Sequence, residues 1–201
     1  WRERGPEHAP VTLLLHGIYA GASSYEWRGL APLLGGRVRT PDLLGAGASD
    51  RPDVEWTSAL VTSGVDALIR DAATDAGPPI VVASSLTAAH ALRAVAEGAA
   101  VERLVLITPT GLGRAQSHPS GSVSRILYAL GRHTPLGDVV VHALSSAPSV
   151  RWFQTHQTYS DPEVLTEEEI EETCRVARLP NAKHLQLAFV ANRLALEVEP
   201  D

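Results

Sequence analysis

Pro79–Ala89 reads PIVVASSLTAA and holds the feature around which the rest of the chain is organised. An apolar, β-branched run stops at small residues, and a helical pattern of apolar positions follows at once from Leu86 to Ala96. A buried strand is therefore predicted to turn straight into a helix with no loop between them. The residue at this corner must adopt a strained backbone, and its side chain then projects from the end of the strand.

We assign the corner to Ser85, because its neighbours two positions away, Ala83 and Thr87, are small enough for strand and helix to approach closely. A corner at Ser84 would place a valine and a leucine there, which are too large. This pattern is the nucleophile elbow, usually written G-x-S-x-G. Both glycines are replaced here, so an ordinary strand–helix junction remains the alternative from this stretch alone.

The composition of the chain limits the classes of protein to which it can belong. The chain has 201 residues, 44% of them hydrophobic, which suffices for one domain with a substantial core. Its net charge of −6 and single lysine, Lys183, argue against nucleic acid or an anionic membrane as partners. One cysteine, Cys174, excludes an intrachain disulfide framework. Without an apolar run of membrane-spanning length or a visible signal peptide, we expect a cytoplasmic protein with no membrane span.

Strands and helices alternate through the first half of the chain, which predicts an α/β fold with a mainly parallel sheet and helices on both faces. The predicted strands are Val11–Leu15, 37–42, 80–83 and 101–108. The predicted helices are 25–34, 57–73 and 86–97.

The alternation of strands and helices ends after Gly113. Residues 114–122 are predicted to form a linker, and mainly helical patterns follow it. These patterns cover 122–132, 135–145, a segment from Thr166 to Arg178, and 184–196. Thr166 and Glu169 form a capping box, in which the hydroxyl accepts from the Glu169 amide and the carboxylate reaches back. We therefore predict a core over 1–113, a helical cap over 114–190 and a return towards the core over 191–201.

Active sites in parallel sheets lie at the carboxyl ends of the strands. The loops predicted there carry the polar and glycine-rich segments of this chain, namely 16–24, 42–52, 84–87 and 108–113. The His16-Gly17 pair, the Asp42–Ser49 segment DLLGAGAS, the Ser85 corner and Thr108–Gly111 follow successive strands. In this order and spacing the chain resembles the α/β-hydrolase family, in the branch that carries a helical cap.

The resemblance implies a role for each matching residue. Ser85 is expected to be the catalytic nucleophile, and the backbone N–H groups of Ile18 and Leu86 to form the oxyanion hole. The two amides and the positive helix end would stabilise the charge that develops when a carbonyl is attacked. The residues expected to line the site are His16, Gly17, Tyr19 and Ser84. Asp42 and the glycines after it are expected to shape a turn.

A serine nucleophile implies hydrolysis of a carboxylic ester or a similar carbonyl substrate, with an acyl-enzyme on Ser85. Haloalkane dehalogenases and epoxide hydrolases of this fold use an aspartate, and no acidic residue lies near the corner. Hydrolysis of a carbon–carbon bond, as in the meta-cleavage product hydrolases, and non-catalytic ligand binding remain alternatives. We expect a small-molecule substrate with an apolar portion, and no cofactor or metal. Aromatic residues that could line an acyl pocket are Tyr19, Tyr25, Trp27, Trp152, Phe153 and Tyr159.

A serine also needs a general base and an orienting acid. In the family the order is Ser, then Asp or Glu, then His, and no such motifs follow the predicted cap, so we expect them beyond residue 201. We therefore expect a segment of a longer protein, with a homodimer or a companion segment as alternatives. Within the chain, the cap histidines that could reach Ser85 instead are His118, His133, His142, His156 and His184.

Overall fold

The computed structural model describes residues 2–111 and 121–196. These residues contain one five-stranded sheet with the order β1-β3-β2-β4-β5. The strands are β1 (Arg2–Arg4), β2 (Val11–Leu15), β3 (Arg37–Thr40), β4 (Ile80–Ser84) and β5 (Arg103–Ile107). The last four are parallel, and β1 pairs antiparallel with β3 at one edge. The predicted α/β fold is confirmed, and β1 is a short antiparallel strand that was not among the predicted strands.

Seven α-helices accompany the sheet in the described residues. They are α1 (Ser58–Ala72), α2 (Ser85–Ala96), α3 (Gly121–His133), α4 (Pro135–Leu144), α5 (Ala147–Phe153), α6 (Glu167–Ala177) and α7 (Lys183–Val190). Short 3₁₀ turns cover Ser24–Arg28, Ala31–Leu33 and Pro162–Val164, and one π-helical turn covers Gln154–Thr158.

The period-2 alternation of the strands separates two apolar layers. One face of β2 and β4 joins α1 and α2 in the main core, where Leu13 and Val81 are fully buried. On the opposite face, Leu14 and Val82 pack with Trp27 from the first 3₁₀ turn. Of the aromatic residues that could line an acyl pocket, Trp27 therefore belongs to the core on this face of the sheet instead.

The predicted helix over 25–34 forms two 3₁₀ turns instead. Pro32 lies in the second turn. A proline there has no N–H to donate and its ring collides with the carbonyl four residues earlier, so a continuous α-helix cannot pass it. The strand predicted over 37–42 ends at Thr40 for a related reason, because Pro41 cannot donate to the ladder.

The segment after residue 121 is helical and contains no strand among its described residues, 121–196. Most of the predicted linker, residues 114–120, lies outside the described residues. The last predicted helix ends at Val190, not Leu196, because Asn192 adopts φ +53°. Its amide and that of Arg193 bond the carbonyls of Phe189 and Ala188, which is a Schellman motif. Helix α5 was not predicted.

The capping box is half confirmed. The Thr166 hydroxyl accepts from the Glu169 amide at 3.2 Å. The Glu169 carboxylate does not turn back to the helix start, because it pairs with Arg28 of the core and accepts from the Tyr159 hydroxyl.

The cap helices rest on loops that follow β2 and β3. Gly21 lies so close to α6 that an added Cβ would overlap the Thr173 carbonyl, and an added Cβ at Gly45 would lie 3.1 Å from Leu185 of α7. Helices α6 and α7 therefore pack against the loops that follow β2 and β3. Within the described residues, we find no helix with the length and apolar character needed to cross a membrane.

Candidate active site

The corner between β4 and α2 has the geometry that the sequence indicates. Ser84 is extended, with φ −107° and ψ 146°, whereas Ser85 adopts φ +53° and begins the helix. Ala83 and Thr87, two residues to each side, are fully buried. A positive φ is rare for a residue other than glycine and is a mark of strain held in place by its surroundings. Ser85 is half-buried, so its side chain is neither sealed in the core nor free in solvent.

The His16-Gly17 loop lies directly against this corner. A Cβ added to Gly17 would lie 3.2 Å from the Ser85 Cβ and 3.5 Å from the Tyr19 ring. A side chain at position 17 would therefore press on Ser85, and the glycine allows the loop backbone to approach the serine. Gly17 is therefore in close contact with Ser85, and the Tyr19 ring lies beside Gly17.

His16 supports the site from beneath and does not line it. Its ring is fully buried, and both nitrogens face backbone groups: Nδ1 lies 2.7 Å from the Gly17 carbonyl, and Nε2 accepts from the Leu43 amide at 3.0 Å. These partners require the proton on Nδ1, and burial lowers the pKa of His16, so the ring is neutral. The prediction of a site-lining side chain is corrected: His16 connects the loops after β2 and β3.

Thr87 explains why the elbow tolerates a β-branched residue where glycine is usual. Its buried hydroxyl donates to the His16 carbonyl at 2.7 Å. The first turn of α2 is thereby bonded to the His-Gly loop. A glycine at this position would allow the same close approach but would not make this bond.

A carboxylate reaches the same loop from the first 3₁₀ turn. Glu26 Oε2 accepts from the Gly17 amide at 3.0 Å. Burial raises the pKa of the Tyr19 hydroxyl well above its usual range, and the neighbouring Glu26 raises it further. Tyr19 therefore remains a neutral hydrogen-bond donor beside the corner at any physiological pH.

Thr110, which was not among the predicted site residues, contacts Ser85 at two points. Its amide donates to the Ser85 carbonyl at 3.2 Å, and its hydroxyl oxygen lies 3.4 Å from Ser85 Oγ. The signal available in the sequence was its place just after the strand next to β4 in the sheet. That signal identifies a neighbouring loop, but not which side chain of the loop turns towards the serine.

The amides of Ile18 and Leu86 flank this corner, one in the loop after Gly17 and one in the first turn of α2. Across residues 2–111 and 121–196, neither amide is paired with an acceptor of the protein. The two side chains are buried in the main core, which fixes the backbone that carries both amides.

Asp42 shapes the neighbouring turn, as expected. Its carboxylate accepts from the Ser24 amide at 2.6 Å and the Ala48 amide at 2.8 Å, and its carbonyl accepts from the Ser49 hydroxyl at 2.7 Å. Burial alone would raise the pKa of Asp42, but the amides of Ala48 and Ser24 lower it. The carboxylate thus holds the two ends of the loop together.

Three of the described histidines have their contacts with residues other than Ser85. His90 is fully buried and bonds the Thr62 hydroxyl at 2.9 Å. His156 stacks on Trp152 with ring centroids 5.1 Å apart, and His184 is buried near Asp53. His133 and His142 are exposed on cap helices, and His118 lies outside the described residues. In the described part of the chain, no cluster of three metal-ligating side chains is found either.

Comparisons with known proteins identify the family of the fold. A model of the alpha/beta hydrolase family matches residues 12–199. A haloalkane dehalogenase of Bradyrhizobium diazoefficiens is 41% identical over 58 residues, which is 28% of this chain and 18% of that protein. An uncharacterized protein of Mycobacterium bovis is 33% identical over 131 residues, which is 60% of this chain and 37% of that protein.

Solved structures share the fold over nearly the whole chain. Cfl2 from Burkholderia cenocepacia superposes with a TM-score of 0.71 and 24% identity, covering 95% of this chain and 66% of that one. The epoxide hydrolase CorEH superposes with a TM-score of 0.66 and 26% identity, covering 96% of this chain and 68% of that one. The chain thus spans about two thirds of these structures, and less of the curated relatives. Because the family match extends over most of its length, the chain belongs to the alpha/beta hydrolase family.

Proposed function

We propose that Ser85 is the nucleophile of a hydrolase that acts on a carboxylic ester or a similar carbonyl substrate. The observation that carries this proposal is the left-handed backbone of Ser85 at the strand–helix corner, with its side chain half-exposed beside Gly17. Strain of this kind persists only where the surroundings enforce it, and it is concentrated at active sites. A hydroxyl at the corner, with no carboxylate, favours attack on a carbonyl over the dehalogenase and epoxide hydrolase reactions.

The chemistry proceeds in two halves. The Ser85 oxygen bonds to the carbonyl carbon while its proton passes to a general base, and the carbonyl oxygen becomes an anion. Collapse of this intermediate breaks the ester bond, the alcohol leaves with the proton, and an acyl-serine remains. Water then attacks the acyl-serine, which releases the carboxylic acid and restores the hydroxyl.

The amides of Ile18 and Leu86 are proposed to hold the anion. Both lack a protein acceptor in the described ranges, and Leu86 lies in the first turn of α2, where the helix dipole is positive. One such donor contributes roughly 3 kcal/mol to stabilising the transition state. Tyr19 and Ser84 are proposed to line the site with Gly17.

The general base and its orienting acid are proposed to come from residues outside the described ranges, or from a companion segment. The β5 edge is the place where such a segment would add to the sheet. Val105 and Ile107 of this strand are 39% and 36% exposed, and no described strand pairs with its outer side.

Labelling with a fluorophosphonate probe, in the complete natural protein, tests the nucleophile. We expect Ser85→Ala to lose labelling and to lower ester hydrolysis at least about 1,000-fold. Ser63→Ala is the matched control, because Ser63 is an exposed serine on α1 and is not part of the proposed site, and this variant should label like the wild type.

The wild type must label for the proposal to stand, and labelling that survives Ser85→Ala would overturn it. A folded protein that binds apolar carbonyl compounds without ever labelling would be a ligand-binding member of the fold. Parallel assays with p-nitrophenyl esters and with a vinylogous diketone distinguish ester from carbon–carbon bond hydrolysis on the same serine.

A further inference from the structure

Two strained residues lie side by side at the end of the sheet. Ser85 follows β4 with φ +53°, and Thr108 follows β5 with φ +41°. The residues just before them, Ser84 and Ile107, are register partners in the parallel ladder. The remaining non-glycine residues with positive φ in the described ranges are two asparagines, a residue type that tolerates this conformation. A β-branched threonine does not, so Thr108 is the greater outlier.

The left-handed turn at Thr108 redirects the chain across the Ser85 corner. Two residues on, the Thr110 amide donates to the Ser85 carbonyl at 3.2 Å. The next residue, Gly111, has φ +79°, and an added Cβ there would lie 2.5 Å from the Leu86 side chain. Residues 108–111 thus pack against both residues of the corner, and their path requires two left-handed backbones in four positions.

Within this segment, the Thr110 side chain is the part that reaches the serine hydroxyl. Its Oγ1 lies 3.4 Å from Ser85 Oγ, and either hydroxyl can be the donor. The distance is longer than an ideal O–H···O bond, and the pair is accessible to solvent. A hydroxyl that donates to Ser85 Oγ leaves the serine proton free for a base, and it also restricts the serine to one rotamer.

We propose, resting on the proposed role of Ser85, that Thr110 is a positioning residue for the nucleophile. Its amide fixes the carbonyl of the corner, and its hydroxyl orients the serine oxygen towards the incoming carbonyl carbon. The strain at Thr108 is what places Thr110 there. Thr110 does not exchange protons with the substrate, so its removal should lower the rate of attack and leave substrate binding unchanged.

The test compares Thr110→Val, which keeps the shape of the side chain and removes the hydroxyl, with Thr110→Ser, which keeps the hydroxyl. In the complete natural protein, we expect Thr110→Val to slow fluorophosphonate labelling of Ser85 about tenfold, with kcat lowered to match and KM unchanged. Thr110→Ser should label within about twofold of the wild type. Thr110 is exposed, so both variants should fold, and Thr110→Ala serves as a further variant that lacks the hydroxyl.

The outcomes separate this inference from the proposed function. Equal rates for wild type and Thr110→Val, with labelling abolished by Ser85→Ala, overturn the role of Thr110 and leave the nucleophile standing. Equal slowing by Thr110→Val and Thr110→Ser also overturns it, because shape and not the hydroxyl would then matter. A wild type that never labels overturns both.

Discussion

The loops around Ser85 and the helices of the cap are held in place by different contacts. Buried backbone–side-chain hydrogen bonds join the loops, as His16 does for Leu43 and Thr87 does for the His-Gly loop. The cap meets the core partly through ion pairs at its rim, such as Arg132 with Asp53 at 2.8 Å. The loops are therefore fixed by buried hydrogen bonds and close packing, whereas the ion pairs at the rim of the cap weaken with salt.

The two regions also differ in how exposed their side chains are. Cap helices leave large apolar side chains in solvent, including Val139 at 62% and Trp152 at 56% exposure. His16 and Thr87, which hold the corner from within the core, are by contrast fully buried. The contrast places tightly packed residues beneath the proposed nucleophile and more exposed apolar side chains on the helical segment.

The largest expected effect on stability comes from adding a side chain where the loop backbone is already in close contact with a neighbour. An added Cβ at Gly47 would overlap the Asp42 carboxyl group, and its φ of +51° also disfavours a side chain. We expect Gly47→Ala to lower the free energy of unfolding by roughly 4 kcal/mol, measured by urea denaturation.

Gly64 provides the matched control for that substitution. It lies in the interior of α1 with nothing within 4 Å of an added Cβ. Gly64→Ala should stabilise the protein by about 0.5–1 kcal/mol, because alanine favours the helix. Equal effects of the two substitutions would contradict the picture of tightly packed loops.

The next effect is a dependence of stability on pH that originates in the core. Burial lowers the pKa of His90 to about 4. Between that value and the ordinary histidine pKa near 6.5, the unfolded chain binds a proton that the folded chain does not. The free energy of unfolding should therefore be highest above about pH 6.5 and fall by about 3 kcal/mol on acidification to pH 4 through this group.

His90→Gln should flatten the pH dependence measured by denaturation between pH 7 and 4. Some slope should remain, because burial lowers the pKa of His16 as well. His142→Gln, at an exposed position on α4, is the control and should leave the curve unchanged. If His90→Gln leaves the slope of this pH dependence unchanged, another group causes the acid sensitivity.

The difference between contacts that are local in sequence and contacts between distant residues explains which features could be predicted from the sequence. The Ser85 corner was predictable because a buried strand, two small flanking residues and a helix pattern meet within a few positions. The Gly47 turn was predictable because its constraint is local in sequence. The contact of Thr110 with Ser85 was not, since it joins residues 25 positions apart through the register of two strands. The pairing of Glu169 with Arg28 spans 141 positions, and local pattern favoured the capping box instead.

Loss of the Glu169–Arg28 pair is the smallest of the three expected effects on stability, and it is the one that probes the cap. The side chains of Arg28 and Glu169 are 32% and 9% exposed, and Tyr159 also donates to this carboxylate. Glu169→Gln removes the negative charge and leaves the guanidinium unpaired in a partly buried place, so we expect a loss of about 2 kcal/mol in unfolding free energy.

Amide hydrogen exchange should show where that loss acts, with faster exchange in α6 and unchanged protection in α2. Glu167→Gln is the control, because Glu167 pairs with Arg151 while their side chains are 71% and 49% exposed, and it should cost less than about 0.5 kcal/mol. Faster exchange confined to α6 would mean that the cap can loosen while the corner under Ser85 keeps its geometry. Equal loosening of α2 would instead mean that cap and corner unfold as one unit, and the division between a fixed catalytic support and an adaptable cap would be wrong.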